Sequence, residues 1–181
     1  MKYPLAQIGL VSLTCLSSFM MPLTASAQTP TGKQTGTVTL TVLKAKALSK
    51  FDRSIPFSKK GRPDFYVLTK VNTQRGHTVS LKRNNQNNPT FNHKLTSRIP
   101  ENNLVEYTIR LKESDAGRDD TADINPVRRR NNLEVIYDAN ARAVFMPNGR
   151  RLGRLGETIT VQGDSKSRRA SITFKLELNT R

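Results

Sequence analysis

Leu104-Val105-Glu106-Tyr107-Thr108-Ile109-Arg110-Leu111 decides the fold class, and the run that follows, Lys112-Glu113-Ser114-Asp115-Ala116-Gly117-Arg118-Asp119-Asp120-Thr121-Ala122-Asp123-Ile124-Asn125-Pro126, shows where to look for function. The first eight residues alternate, sending Val105, Tyr107, Ile109 and Leu111 to one side, which is the period of a strand buried on one face. That strand delivers the chain into an acidic loop. Of 14 acidic residues, set against 30 Lys and Arg, five fall here: Glu113, Asp115, Asp119, Asp120 and Asp123. Crowded carboxylates repel one another, and either full solvation or a hard divalent cation relieves them. Ca2+ suits such a loop because it accepts many oxygen ligands in loose geometry. An EF-hand register fails, since reading from Asp115 or Asp119 puts no Gly at the sixth position and no Glu at the twelfth. Either the loop is an ordinary solvated turn, or other parts of the chain supply further ligands.

The same alternation recurs on both sides. Upstream, Thr37-Val38-Thr39-Leu40-Thr41-Val42-Leu43 places Val38, Leu40 and Val42 on one face with threonines opposite, a half-buried strand that Ala45, Ala47 and Leu48 prolong. Arg53 to Pro63 reads as a loop with two prolines, and Asp64 to Asn72 as a strand rich in aromatic and β-branched residues. Further strands are predicted over Thr78 to Lys82 and Asn88 to Leu95. Downstream of Pro126 come the basic run Arg128-Arg129-Arg130, a strand near Leu133 to Tyr137, and a hairpin over Ala143 to Arg150 turning at Asn148-Gly149. Strands over Glu157 to Val161 and Ala170 to Leu178 finish the count. With no helix pattern and no internal repeat, about eight short strands separated by turn signals argue an all-β, antiparallel β-sandwich whose loops cluster at its two ends.

Met1 to Ala27 reads as a secretory signal peptide: Lys2, an apolar core over Ile8 to Met21, and Ala25-Ser26-Ala27 at the cleavage position. The protein is therefore expected to be secreted or periplasmic, with residues 28–35 a flexible lead-in and 36–181 one domain. The only cysteine, Cys15, lies in the leader behind a poor lipobox, so the mature chain of 154 residues lacks disulfides, cysteine catalysis and zinc-thiolate sites. Its charge, +16 for the whole chain and +15 without Lys2, favours anionic partners by long-range attraction. Export argues against nucleic acid and for anionic lipid headgroups or acidic envelope polymer, with peripheral membrane contact and a monomeric state. Catalysis finds little support. Only His77 and His93 remain in the mature chain, without a Gly-x-Ser-x-Gly or His-Glu-x-x-His element, and the crowded polar loop is a poor place to keep one carboxyl protonated for glycoside hydrolysis.

The order of these pieces resembles a C2 domain, the calcium- and phospholipid-binding β-sandwich family, in a secreted bacterial-type version. Asp64-Phe65-Tyr66-Val67 after a loop bearing Asp52 is similar to the family's first ligand loop and its Asp-Pro-Tyr-Val strand. Asn88-Pro89-Thr90-Phe91-Asn92-His93-Lys94-Leu95 is similar to the Asn-Pro-x-Trp-Asn-Glu-x-Phe segment, with Phe91 for the Trp, and Ile109 to Asp123 resembles the acidic third loop, with Glu113 where the family usually has Asp. The resemblance implies a Ca2+ site drawn from Asp52, Asp64, Glu113, Asp115, Asp119, Asp120 and Asp123. It leaves open which of Asp119 and Asp120 is the ligand. It implies a lipid- or anion-binding rim of Ile55, Phe57, Lys59, Lys60, Arg62, Arg118, Arg128, Arg129 and Arg130. The long basic insert between Asp52 and Asp64 departs from the family, and its Lys59, Lys60 and Arg62 compete with the ion. A calcium-independent adhesion module for polyanionic polymer is the alternative.

Overall fold

A computed structural model describes residues 36–51, 62–115 and 117–179. The leader, the lead-in, Asp52, Ile55, Phe57, Lys59 and Lys60 lie outside them. Among the described residues eleven strands run in chain order: β1 (Thr37–Ala47), β2 (Phe65–Val71), β3 (Thr78–Val79), β4 (Thr90–Arg98), β5 (Leu104–Glu113), β6 (Asp120–Ala122), β7 (Leu133–Asp138), β8 (Ala143–Phe145), β9 (Arg151–Arg154), β10 (Ile159–Gln162) and β11 (Ala170–Asn179). They form two sheets, one in the order β10-β11-β1-β4 and one in the order β3-β2-β5-β7-β8-β9, with β6 also paired to β5. The described residues contain no helix.

The fold is the all-β antiparallel sandwich read from the sequence, with more strands than the eight or so counted there. β6 was hidden in the acidic loop, and the hairpin read over Ala143 to Arg150 resolves into β8 and β9 around a turn at Gly149, whose φ is 82°. The strand read over Thr78 to Lys82 shrinks to two residues, because the Ser80 hydroxyl takes the Val67 N–H at 2.9 Å.

β1 reaches Ala47 by means of a bulge. The register shifts between Val42 and Lys44, so Leu43 is the extra residue, and the inward series Val38, Leu40, Val42 resumes at Ala45. Its threonine face is also covered, since β1 lies between β4 and β11: Thr39 and Thr41 are buried, and Thr39 Oγ1 bonds Thr96 Oγ1 at 2.8 Å. In β5, Val105, Tyr107, Ile109 and Leu111 enter the core as their alternation requires. The Tyr107 hydroxyl crosses the sandwich, bonding Ser97 Oγ at 2.7 Å and donating to the Val38 carbonyl at 3.3 Å.

His93 closes one flank: its Nε2 bonds Thr69 Oγ1 at 2.9 Å and Thr78 Oγ1 at 3.2 Å, joining β4 to β2 and β3. At the loop end the sheets meet through Asp123. Its N–H donates to the Arg168 carbonyl and its carbonyl accepts from Ala170 N–H, while its carboxylate accepts from Asn125 N–H at 3.0 Å and Ser165 N–H at 2.7 Å. Gly163 allows this. A Cβ there would sit on the Asp123 carbonyl oxygen and 2.5 Å from its carboxylate.

Gly163→Ala should accordingly lose roughly 2–4 kcal/mol in urea denaturation, because main chain rather than a flexible side chain must give way. Gly117→Ala, where the added Cβ meets nothing within 4 Å, should stay within about 0.5 kcal/mol of the parent. Burial lowers the His93 imidazole below its ordinary 6.5, a shift that a hydrogen bond at Thr78 only partly opposes. The unfolded chain then binds the proton more readily than the folded one, so this contribution to stability is present above pH 6.5 and is lost as pH falls below it. Melting temperature followed from about pH 7 to 5 should fall less steeply in His93→Gln.

Candidate functional site

The alternation that fills the core with β5 side chains continues one step further, and its next inward residue is Glu113, only 2% exposed. β6 then folds back on β5 in the register Leu111↔Ala122, Lys112↔Thr121, Glu113↔Asp120. Glu113 and Asp120 are thus cross-strand partners on one face, a placement that destabilises like charges. Asp115 joins them. One carboxylate oxygen from each of Glu113, Asp115 and Asp120 lies within 4.8 Å of the others, with Glu113 buried, Asp120 half-buried and Asp115 exposed. This all-oxygen donor set fits a hard cation of flexible coordination such as Ca2+. Asp120 also carries an ion pair to Arg168 at 2.5 Å.

The other acidic residues read as ligands are placed differently. Asp64 abuts the cluster through its main chain, its N–H reaching Glu113 Oε1 at 3.5 Å and its carbonyl accepting from Ser114 N–H at 3.0 Å. Its carboxylate, however, takes the Asn85 N–H at 2.6 Å and is not among the three that converge. Asp119 and Asp123 are turned to other partners. Asp119 accepts from the Tyr66 hydroxyl at 2.5 Å, because successive residues entering β6 point to opposite sides, and Asp123 is the buried clamp between the sheets. Between Asp119 and Asp120, the choice left open by the sequence, it is Asp120 that the fold brings to Glu113.

Of the basic rim, Arg62, Arg118, Arg128, Arg129 and Arg130 are exposed. Arg129 and Arg130 line a groove of about 740 Å3 with Arg110 and Lys112, residues that sequence reasoning passed over. Their signal was the outward phase of β5, complementary to its apolar phase. Lys112 Nζ donates to the Asp119 carbonyl at 3.0 Å and to Thr121 Oγ1 at 2.8 Å, while Arg110 Nε and Asn132 Oδ1, both on this groove, are buried without a hydrogen-bond partner. Leu81, also overlooked, is 76% exposed two residues before Arg83, which bridges Phe65 at the end of β2 opposite Glu113.

The family model of the C2 domain matches residues 36–127, from β1 through the acidic loop. The chain belongs to the C2 domain family. No curated protein matches this sequence. Among solved structures, the tandem C2 domains of Extended-Synaptotagmin 2 align at 18% identity and a TM-score of 0.50, covering 96% of this chain and 48% of that one. The same pair of domains in a calcium-bound structure aligns at 18% identity and a TM-score of 0.51, covering 79% and 45%. Human GIVD cytosolic phospholipase A2 aligns at 16% identity and a TM-score of 0.47, covering 82% of this chain and 18% of the phospholipase. The chain thus spans under a fifth of the phospholipase and about half of the two-domain structures. At these identities the two-domain structures show the fold, and in this C2 domain β7 to β11, beyond the matched residues, complete both sheets.

Burial, then the hydrogen bond and the charge of Asp119, push the Tyr66 phenol up to about 12. Asp119→Ala removes the last two causes and should lower the Tyr66 ionisation midpoint. The check is ultraviolet absorbance during alkaline titration, with Tyr66→Phe identifying the transition.

Proposed function

We propose that this C2 domain is an exported, non-catalytic and monomeric binding module that takes up Ca2+ at Glu113, Asp115 and Asp120 and docks on anionic lipid headgroups. The observation that carries this reading is the cross-strand pair Glu113↔Asp120 with Asp115 beside it: three carboxylates brought together, two of them opposed by main-chain register and one buried. Bound Ca2+ supplies positive charge there, with coordination positions left for an anionic oxygen. The residues present do the rest. Arg118, between Asp115 and Asp120 in the chain, and Arg62, two residues before Asp64, are exposed, and each such charge contributes roughly 1 kcal/mol of attraction near an anionic surface. Leu81 offers an apolar side chain to the interface.

A second reading, calcium-independent adhesion to polyanionic envelope polymer, draws on the groove of Arg110, Lys112, Arg129 and Arg130, which needs no ion to attract a polyanion. Its binding should weaken steeply with salt.

Calorimetric titration of residues 28–181 with Ca2+ after chelator treatment should give saturable binding. The expected dissociation constant is roughly 0.1–1 mM, the range of extracellular calcium modules. Asp115→Asn with Asp120→Asn should abolish it. Sedimentation with phosphatidylserine-containing vesicles should then require Ca2+ and be reversed by chelator. Absence of heat together with a melting temperature indifferent to Ca2+ would discard the metal and leave the second reading, for which capture by acidic polysaccharide in the presence of chelator is the check.

A further inference from the structure

A second cleft lies on the opposite flank from His93, between the sheet edges β9 and β10. Its volume is about 640 Å3, and Arg150, Arg151 and Arg169 line it together with Thr160, Gln162 and Asp164. Among the described residues none of the three guanidinium groups is committed to an ion pair: those pairs join Arg130 to Glu134, Arg168 to Asp120 and Lys175 to Glu177. Asp164 is the only carboxylate on the lining, so the walls carry a net charge of +2, from three arginines and one aspartate. Arg169 Nε is buried without a hydrogen-bond partner, so this guanidinium is not tied down by the protein through that atom.

The main chains that carry these arginines are fixed. Arg169 N–H donates to Ser49 Oγ at 2.8 Å, and its carbonyl accepts from Leu48 N–H at 2.8 Å and Ser49 N–H at 3.1 Å. The Asn148-Gly149 turn holds Arg150, whose N–H donates to Asn148 Oδ1 at 3.1 Å and whose carbonyl accepts from Met146 N–H at 2.8 Å. Only side chains remain to be ordered when a ligand arrives, which keeps the entropic cost of binding low.

We propose that this cleft binds a phosphomonoester, independently of calcium. A phosphomonoester carries about −1.5 to −2 charge at neutral pH and three terminal oxygens, matching both the +2 lining and the bidentate fork of arginine. A phosphodiester offers one charge and two such oxygens. The volume exceeds that of phosphate alone and leaves room for the group that bears it.

The test is titration of the 15N-labelled mature protein with inorganic phosphate, at constant ionic strength and with chelator present, so that the outcome does not depend on the acidic loop. Saturable amide shifts centred on Gly163, Arg169 and Arg150 to Leu152 are expected. They should weaken about tenfold or more in Arg150→Gln with Arg151→Gln, two exposed positions, and likewise in Arg169→Gln. They should persist in Arg129→Gln with Arg130→Gln and weaken below about pH 6, where phosphate loses its second charge. A second arm compares phosphatidic acid with phosphatidylglycerol vesicles at equal surface charge. Preference for phosphatidic acid that is lost in the double variant identifies a lipid as the source, and saturable phosphate binding without that preference identifies a free phosphomonoester. Shifts that spread over every basic face and never saturate, or that survive Arg150→Gln with Arg151→Gln, overturn the proposal.

Discussion

One buried carboxylate holds the loop end of this sandwich together. Asp123 follows β6 in the larger sheet, yet all four of its hydrogen bonds at that end serve to fix chain rather than to offer charge: two through its main chain, to Arg168 and Ala170, and two through its side chain, from Asn125 and Ser165. Taking a carboxylate out of water is costly unless donors replace the water, and two main-chain N–H groups do so here. The contact is close enough to demand glycine at 163. Because Asp123 fixes the segment leading into β11, it sets the positions of Arg168 and Arg169. The first reaches Asp120 in the acidic cluster and the second lines the arginine cleft. Asp123 therefore shapes both the acidic cluster and the arginine cleft, its own carboxylate being taken up by two main-chain donors.

β5 imposes the second constraint. Its inward phase runs from Val105 to Leu111 and ends on Glu113, while its outward phase supplies Arg110 and Lys112 to the basic groove. Opposite electrostatics thus stand on the two faces of one strand. The like-charge opposition of Glu113 and Asp120 is a consequence of register, which β6 cannot slip without turning Ala122 and Asp120 to the wrong face. Burial keeps water from screening Glu113, so the repulsion is felt more strongly there than in an open loop.

Much of this was legible in the sequence, and the remainder has physical reasons for having been hidden. Period-two alternation at Val38 to Val42, Val105 to Leu111 and Ile172 to Leu178 located the long strands because the apolar side chains of each fall on one face. The Asn148-Gly149 turn was equally plain. β6 was invisible because Asp120-Thr121-Ala122 is too short to alternate and only Thr121 favours a strand, and it forms by pairing with β5. The acidic cluster was found as a region, but composition does not state direction. Asp119 and Asp120 are neighbours that diverge at a strand, and nothing near Asp123 in the chain announces Gly163 and Ser165, some forty residues away, which the fold brings against it. The arginines of the cleft come from two separate segments that only the fold brings together.

Arg168 bears on how the acidic cluster behaves without an ion. Its guanidinium supplies positive charge to Asp120 and so offsets part of the repulsion among the carboxylates. The pair is well solvated, however, with side chains 52% and 26% exposed, and such pairs contribute about 1 kcal/mol at most. Displacing an interaction of that size lowers the affinity for a competing cation by roughly fivefold, far less than the charge of a divalent ion returns. An internal counter-charge of this strength steadies the loop while leaving the Asp120 carboxylate partly exposed, whereas a buried arginine in the same place would have held it far more tightly.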